Sequence, residues 1–120
     1  MKNVLLIDPA RAVRDTYSEL VRQAGHGVYA CKSAEEGLHF ISEANKPDLV
    51  VVNIRQPNMT GIAFCEQVKN LCANVPIIAM SGPRDTTWLA EAGRVQVEAW
   101  LVQPAEPESF LNTIQAVLSR

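Results

Sequence analysis

Short apolar runs alternate with stretches of helical periodicity along the chain. The first run is Val4 to Ile7, and the apolar residues from Val13 to Ala24 then recur at helical spacing. Short runs of aliphatic residues predict strands, whereas the longer recurring pattern predicts an amphipathic helix. Because Gly25 and Gly27 follow directly, we expect the first helix to end there.

The same strand and helix unit recurs to the end of the sequence. Val28 to Cys31 predicts a second strand, and Ser33 with Glu36 forms a capping box that begins a second helix. Leu49 to Val52 is continuously apolar, as expected for a central strand covered on both faces. The later predicted elements are a helix with Phe64, Val68, Leu71 and Cys72 inward, a strand from Pro76 to Met80, a helix carrying Trp88, Leu89, Ala92 and Val95, a strand from Val97 to Val102, and a last helix bearing Phe110, Leu111, Ile114, Val117 and Leu118.

Repeated units of this kind predict a parallel sheet with helices on both faces, since right-handed crossovers place them there. Ligands bind such sheets beyond the carboxyl ends of the strands, near the point where the strand order reverses. The residues at those ends are Asp8, Asn53, Ser81 and Gln103. They are therefore the first candidates for functional chemistry.

Composition narrows the class of protein. The chain has 120 residues and a formal net charge of −2, and 48% of its residues are hydrophobic. This length and apolar content predict one folded domain, residues 1–120, whose core needs neither disulfides nor a structural metal. Cys31, Cys65 and Cys72 lack zinc-like spacing and stand among apolar residues, so we interpret them as small hydrophobes without a metal or redox role.

The charge pattern and the apolar runs bear on location and partners. The sequence has no cluster of Lys and Arg, which disfavours nucleic-acid binding. No apolar run approaches the length of a membrane span, and the first run meets Asp8 and Pro9 too early to form a signal-peptide core. We therefore expect a cytoplasmic protein that binds neither nucleic acid nor membrane.

Four blocks of the sequence resemble the receiver domain of two-component response regulators, and the resemblance covers the whole chain. The blocks are Leu5 to Asp8, Pro47 to Ile54 with Pro57, Met59 and Gly61, Pro76 to Ser81, and Trp100 to Pro104, and their spacing matches without gaps. The resemblance implies an α/β, flavodoxin-like fold of the receiver type. It would contain a doubly wound parallel sheet of about five strands, in the order 2-1-3-4-5, with as many helices.

The resemblance fails at the residues that carry the family's chemistry. In receivers the third strand ends in an aspartate that attacks a phosphoryl group, but this chain has Asn53, whose neutral amide is not a competent nucleophile. Receivers have adjacent acidic residues after the first strand that help to hold Mg²⁺, whereas here Asp8 is followed by Pro9. The family's lysine position is occupied by Gln103. Ser81 remains at the position of the family's switch hydroxyl.

These departures predict a degenerate acidic pocket. Mg²⁺ is a hard cation held through carboxylates, so Asp8 alone should not bind it, and we expect no metal and no other cofactor. Because Pro9 and Gln103 depart together with Asn53, the pattern favours natural degeneracy over a single substitution introduced to block phosphorylation. The strand-end residues contain no paired nucleophile and base, so we expect no enzymatic activity and assign no catalytic residue.

The same residues also have purely structural interpretations. Asp8 and Pro9 fit the N-cap and the first position of a helix, and Ser81 can cap the turn that follows it. Asn53 and Gln103 can satisfy backbone groups at the strand ends, because an amide both donates and accepts hydrogen bonds.

Trp100 stands where receivers carry an aromatic residue whose rotation is coupled to the hydroxyl at the Ser81 position. Strand alternation places it on the same face as Glu98, and we expect that face to be partly exposed on an edge strand. One interpretation is that Trp100 packs against Leu89 or Trp88. The other is that it anchors a partner surface built from the predicted fourth helix, fifth strand and fifth helix.

These observations favour an atypical receiver, or pseudo-receiver, that signals by phosphorylation-independent binding of a protein partner. That partner would be a histidine kinase, a downstream effector, or a second copy bound through the surface around Trp100. A small-molecule-binding module on the same fold is an alternative, although Asp8-Pro9-Ala10-Arg11 is not a flavodoxin-type phosphate loop. A further alternative is the regulatory segment of a longer response regulator.

Overall fold

The computed structural model describes residues 2–43, 45–55, 59–82 and 96–120. Its strands are all parallel and form one five-stranded sheet in the order β2-β1-β3-β4-β5, which confirms the predicted topology. The strands are β1 (Asn3–Ile7), β2 (Gly27–Cys31), β3 (Leu49–Asn53), β4 (Ile77–Ser81) and β5 (Ala99–Val102).

The helices of the described residues follow the predicted periodicity. They are α1 (Arg11–Gln23), α2 (Ala34–Ser42), α3 (Gly61–Leu71) and α4 (Pro107–Leu118), and α4 is the helix that the sequence predicts as the fifth. The predicted fourth helix, with Trp88, Leu89, Ala92 and Val95, lies outside the described residues, as does Pro57. None of the helices described is both long enough and apolar enough to cross a bilayer.

The sheet divides the core into two layers, as the alternation of side chains along a strand requires. Val4 and Leu6 pack in a layer with residues of α1 and α4, whereas Leu5 and Ile7 pack in a layer with residues of α2 and α3. The central strand is fully buried from Leu49 to Val52, which confirms the prediction of a strand covered on both faces.

Local sequence signals fix the helix ends. The Ser33 hydroxyl accepts the backbone N–H of Glu36 at 3.2 Å, so the predicted cap of α2 is present. Gly25 adopts a φ of +89° just after α1, a conformation that L side chains rarely adopt, and it ends the helix where the sequence predicts.

The predicted inward position of Leu71 is wrong, because its side chain is 51% exposed. The buried stripe of α3 runs through Gly61, Cys65 and Val68 and continues to the partly buried Cys72. Leu71 lies at the margin of that stripe in the last turn of the helix, so it faces solvent instead of the sheet. Cys31 and Cys65 lie in the layer beneath α2 and α3, as small core residues.

Candidate functional site

The strand-end residues lie together at one edge of the sheet. Asp8 follows β1, Asn53 ends β3, Ser81 ends β4 and Gln103 follows β5. These strands are neighbours in the sheet, and parallel strands place their carboxyl ends at a common edge. The sequence therefore brings the predicted pocket residues to the place where ligands bind in folds of this kind.

Side-chain hydrogen bonds join Asp8, Asn53 and Gln103 in a closed ring, which we call the amide–carboxylate network. Asn53 Nδ2 donates to Asp8 Oδ2 at 3.1 Å and to Gln103 Oε1 at 3.3 Å. Gln103 Nε2 donates to the same Asp8 Oδ2 at 3.1 Å. The Asp8 side chain is buried, so both amides serve to solvate a carboxylate that water does not reach freely.

The second oxygen of Asp8 is held by the backbone of its own loop. Asp8 Oδ1 accepts the N–H of Ala10 at 2.8 Å. The interpretation of Asp8 and Pro9 as N-cap and first helical residue is therefore wrong, because α1 begins at Arg11 with Ala10 as its N-cap. The Asp8 side chain turns back on the loop before the helix, a short-range bond that aspartate forms readily in turns.

Asn53 is anchored through both ends of its amide. Its Oδ1 accepts the N–H of Arg55 at 2.9 Å, so the predicted interaction with backbone groups at the strand end is present. Its Nδ2 belongs to the network with Asp8 and Gln103. The orientation of the amide is thus determined, because a flipped amide would place Nδ2 against an N–H and Oδ1 against a carboxylate.

Ser81 is linked to the network through the main chain. Its side chain is buried, and its carbonyl accepts the N–H of Gln103 at 2.7 Å. The Gln103 side chain also lies near Met80, with Nε2 at 3.8 Å from the sulfur. The backbone at the end of β4 therefore positions Gln103, the residue that closes the ring.

Two observations concern metal binding and nucleophilic chemistry at this site. Within the described ranges, no group of His, Cys, Asp and Glu side chains is placed to hold a metal ion. Cys31 lies next to the site, because its carbonyl accepts the backbone N–H of Asp8. Burial raises the pKa of its thiol to about 12, with a smaller contribution from the charge of Glu36. A thiol that stays protonated is a poor nucleophile at neutral pH.

Trp100 lies on β5 opposite Ala79 of β4 and is half-buried. Its neighbours Ala99 and Leu101 pack on the layer of α1 and α4, so alternation places Trp100 on the other face of the sheet. The expected exposure of this face holds in part for Trp100. The predicted contacts with Trp88 and Leu89 lie outside the described residues.

Glu98 is exposed only to a small extent, since 12% of its side-chain surface is accessible. Its Oε1 accepts the N–H of Ile77 at 2.8 Å and lies 3.4 Å from Nζ of Lys69. The carboxylate replaces a strand partner for the first residue of β4. The periodicity of the sequence does not show that the Ile77 N–H is available to a side chain at the start of the strand.

Sequence reasoning also missed two residues that support the pocket. Arg14 Nη1 donates to the carbonyls of Asp8 at 2.8 Å and Pro9 at 3.2 Å, and so holds the loop after β1. The Tyr17 hydroxyl accepts the N–H of Ala105 at 2.9 Å and so holds the loop after Gln103. The Tyr17 contact could have been anticipated, because the hydroxyl of a tyrosine on the inward face of a helix needs a hydrogen-bond partner.

Comparisons with known proteins agree with this architecture. The profile of the response regulator receiver domain matches residues 4–115. The response regulator MprA of Mycobacterium sp. (strain KMS) is 28% identical over 98% of this chain and 50% of its own length. The transcriptional regulatory protein AfsQ1 of Streptomyces coelicolor is 27% identical over 100% of this chain and 52% of its own length. The chain thus spans about half the length of these curated relatives.

Solved structures show the same fold. A CheY-like receiver domain from Methanospirillum hungatei has a TM-score of 0.92 at 24% identity, covering 99% of this chain and 94% of that chain. The chemotaxis protein CheY4 of Vibrio cholerae has a TM-score of 0.87 at 27% identity, covering 98% of both chains. The flavodoxin-like, receiver-type fold predicted from the sequence is therefore confirmed.

Proposed function

Because this chain belongs to the family of response regulator receiver domains, we propose that it signals by binding a protein partner without phosphoryl transfer. Receiver domains act in signal transduction, and the chain's relatives include response regulators and a chemotaxis protein. The single observation that supports independence from phosphorylation is the amide–carboxylate network of Asp8, Asn53 and Gln103.

The network occupies the place of the family's reaction centre with groups that cannot perform the reaction. Asn53 stands where the resemblance puts the phosphoacceptor, and its amide nitrogen is committed to Asp8 and Gln103. An amide has no anionic oxygen for attack on a phosphoryl group. We therefore treat Asn53 as a degenerate phosphoacceptor position and propose a binding role instead of a catalytic one.

The donor set does not fit the Mg²⁺ that receivers use. Asp8 is the only carboxylate of the network, and both of its oxygens accept N–H groups. Mg²⁺ prefers several oxygen ligands in octahedral geometry, and the two amides turn N–H groups toward the carboxylate instead of oxygens. No step of the proposed function therefore runs through a metal.

The network also provides a physical reason for a constant signalling state. It connects the residues after β1 and β5 with the end of β3, and Arg14 and Tyr17 hold the adjoining loops. Because the chain's own side chains join these loops, we infer that one arrangement is favoured without any trigger.

The output surface of this proposal is the edge of the sheet around Trp100. Trp100 is half-buried, and its neighbour Val102 is 58% exposed on the same face of β5. Exposed aromatic residues anchor protein interfaces, because they bury a large apolar area at a low cost in conformational entropy. The partner would be a histidine kinase, a downstream effector or a second copy, and the proposed location is the cytoplasm.

The whole-protein context is part of the proposal. Since the chain covers only half of its curated relatives, its role as the regulatory segment of a longer response regulator is compatible with the comparisons. A small-molecule module is less well supported, because the network fills the strand-end pocket with mutually bonded side chains.

Intact-mass spectrometry after incubation with acetyl phosphate and Mg²⁺ tests the proposal directly. The native chain should gain no phosphoryl group. The matched control is the triple variant Pro9→Asp, Asn53→Asp and Gln103→Lys, which restores the family's residue types and should gain one. A phosphoryl adduct on the native chain would overturn the proposed independence from phosphorylation.

A further inference from the structure

The outer edge of β2 is an unpaired strand edge, which we call the β2 edge. In the five-stranded sheet β2 lies at one end and pairs with β1, and its sequence Gly27–Cys31 contains neither a charged residue nor a proline. Natural proteins often protect an edge strand with such residues, because its free N–H and C=O groups can pair with another strand. Tyr29 and Ala30, near the middle of β2, are exposed. The β2 edge is therefore accessible to a further strand.

Backbone hydrogen bonds show which residues of β2 face outward. The Gly27 N–H and the Cys31 carbonyl both bond to residues that flank β1, at 2.9 Å and 3.1 Å. Successive residues of a strand direct their backbone groups to opposite sides, so Tyr29 also faces β1 while Val28 and Ala30 face the open side. The N–H and C=O groups of these two residues therefore form the β2 edge.

The next outward donor on each side of this stretch is already used. The His26 N–H donates to the Val21 carbonyl at 3.3 Å, and the Lys32 N–H donates to the Glu36 carboxylate at 3.2 Å. The two outward residues between them have no acceptor for their N–H groups in the part of the chain that the structure describes. A segment laid along the β2 edge can thus form about four main-chain hydrogen bonds with them.

A cleft of about 290 Å³ opens beside the β2 edge. It is lined by Gly27, Tyr29 and Phe40, together with Lys46 and neighbouring uncharged residues. Tyr29 is 52% exposed, and its ring stacks on Phe40 with centroids 4.1 Å apart, so its orientation is fixed before any partner binds. Gly27 lies two positions before Tyr29 on the same face of the strand and contributes no side chain to it. The face therefore presents an aromatic ring next to a vacant position.

We propose that the β2 edge binds an extended, uncharged segment of a different protein by strand addition. Pairing with Val28 and Ala30 would place side chains that are two positions apart in the segment beside Tyr29 and over the cleft. The cleft has room for a leucine or phenylalanine side chain. Since β2 and β5 are opposite edges of the sheet, this surface is separate from Trp100 and is independent of the proposed signalling surface.

A second copy of this chain matches the β2 edge less well. Antiparallel pairing of Val28 in one copy with Ala30 in the other would leave both clefts empty. On the face of Tyr29, the other residues that β2 offers are Gly27, which has no side chain, and Cys31, which is 1% exposed in its own chain. The cleft therefore favours a segment that carries a bulky apolar side chain.

The test uses a dye-labelled peptide, Thr-Leu-Thr-Phe-Thr-Leu-Thr, whose apolar side chains all lie on one face when it is extended. Fluorescence anisotropy with the full chain should give a Kd of about 1 mM or below. Two further peptides are N-methylated, one at the apolar residues and one at the threonines. Since alternate N–H groups of a strand face opposite sides, methylation of one set should weaken binding at least about tenfold and methylation of the other set should not.

Variants of the chain test the site. Tyr29→Ala should weaken binding about tenfold, because it removes the aromatic ring beside the segment. Leu71→Ala is the matched control, since Leu71 is 51% exposed on α3, and it should change binding by less than about twofold. Ala30→Pro removes one outward N–H and should also weaken binding, with circular dichroism as the check of its fold.

Amide NMR shifts of the full chain locate the contact and should centre on Val28 and Ala30. No binding at several millimolar peptide, or equal effects of the two N-methylated sets, would overturn the proposal. Equal effects of Tyr29→Ala and Leu71→Ala, or shifts centred on Trp100, would also overturn it. Shifts at the β2 edge that grow with protein concentration in the absence of peptide would instead identify a second copy as the occupant and overturn the proposed partner.

Discussion

The Gln103 side chain donates a hydrogen bond of 3.1 Å to the Asp8 carboxylate, although 95 positions separate the two residues in sequence. Asp8 follows β1 and Gln103 follows β5, with β3 and β4 between them in the sheet. The bond therefore ties together loops from distant parts of the edge. A neutral amide at position 103 suits a pocket with a single carboxylate, because it donates a hydrogen bond without adding a charge.

Removing this amide should destabilise the fold. In Gln103→Ala the buried Asp8 carboxylate loses a donor, and we expect the free energy of unfolding to fall by about 1–3 kcal/mol. Urea unfolding followed by circular dichroism measures the change. The matched control is Gln115→Ala on the exposed face of α4, which should change stability by about 0.5 kcal/mol or less. Equal effects of the two variants would mean that the Asp8 bond contributes nothing.

Asn53→Asp should destabilise the chain without restoring reactivity. The substitution places a second carboxylate about 3.1 Å from that of Asp8, where like charges repel. In the Gln103→Lys background the loss of stability should be smaller, because a cation then faces both carboxylates. The double-mutant cycle is measured by thermal unfolding. Full phosphorylation of the Asn53→Asp single variant would show that Pro9 and Gln103 matter less than we propose.

Millimolar Mg²⁺ should leave the melting temperature and the tryptophan fluorescence of the native chain unchanged. Both oxygens of Asp8 already accept N–H groups, so a metal would have to displace them without a second carboxylate to compensate. A ligand that binds only the folded state raises the melting temperature, which makes the assay sensitive to weak binding. A saturable rise near physiological Mg²⁺ would contradict this prediction.

The cysteines should differ in reactivity. Burial raises the pKa of the Cys31 and Cys65 thiols from 9.0 to about 12, whereas Cys72 is partly exposed. At pH 8, iodoacetamide should label Cys72 first, as peptide mass mapping would show. Equal labelling of the three thiols in the folded chain would contradict the buried placement.

The same pKa shifts predict a loss of stability in alkali. The unfolded chain releases these protons near pH 9, whereas the folded chain retains them to about pH 12. The free energy of unfolding should therefore fall as the pH rises through this window, because the folded state binds more protons. Urea unfolding at a series of pH values measures the slope, and a flat profile between pH 9 and 12 would contradict it.

The strands and helices could be predicted because the periodicity of apolar residues reflects burial, whereas the strand order followed from the resemblance to receiver domains. Leu49 to Val52 is apolar at every position and is buried at every position, and the helical spacing around Tyr17 reports the face that packs on the sheet. The departures of Asn53 and Gln103 from the receiver family's aspartate and lysine could be read from the sequence, because the strand ends had already been located.

The bonds among those residues could not be predicted in the same way. Whether Asn53 meets Asp8 or only the backbone depends on rotamers and on loop positions that no local pattern encodes. Glu98 shows the same limit, because strand alternation suggested solvent while a backbone N–H of Ile77 was within its reach. A buried polar side chain forms a hydrogen bond with the nearest unsatisfied donor or acceptor, and the tertiary structure determines which group that is.

Trp100→Ala tests the output surface on which the functional proposal rests. If signalling needs no chemical trigger, it depends on a surface that is always presented, and Trp100 is half-buried at the edge strand β5. Truncation of a central interface aromatic costs about 2 kcal/mol or more, roughly thirtyfold in affinity. Binding to the native partner, or self-association, should weaken by that factor while circular dichroism shows an intact fold.

Trp100→Phe should retain most of the binding, and His39→Ala, which removes a ring from the exposed face of α2, should retain all of it. Unchanged binding in Trp100→Ala, with loss in Asp8→Ala or Ser81→Ala, would instead place the active surface at the strand-end pocket and favour a small ligand.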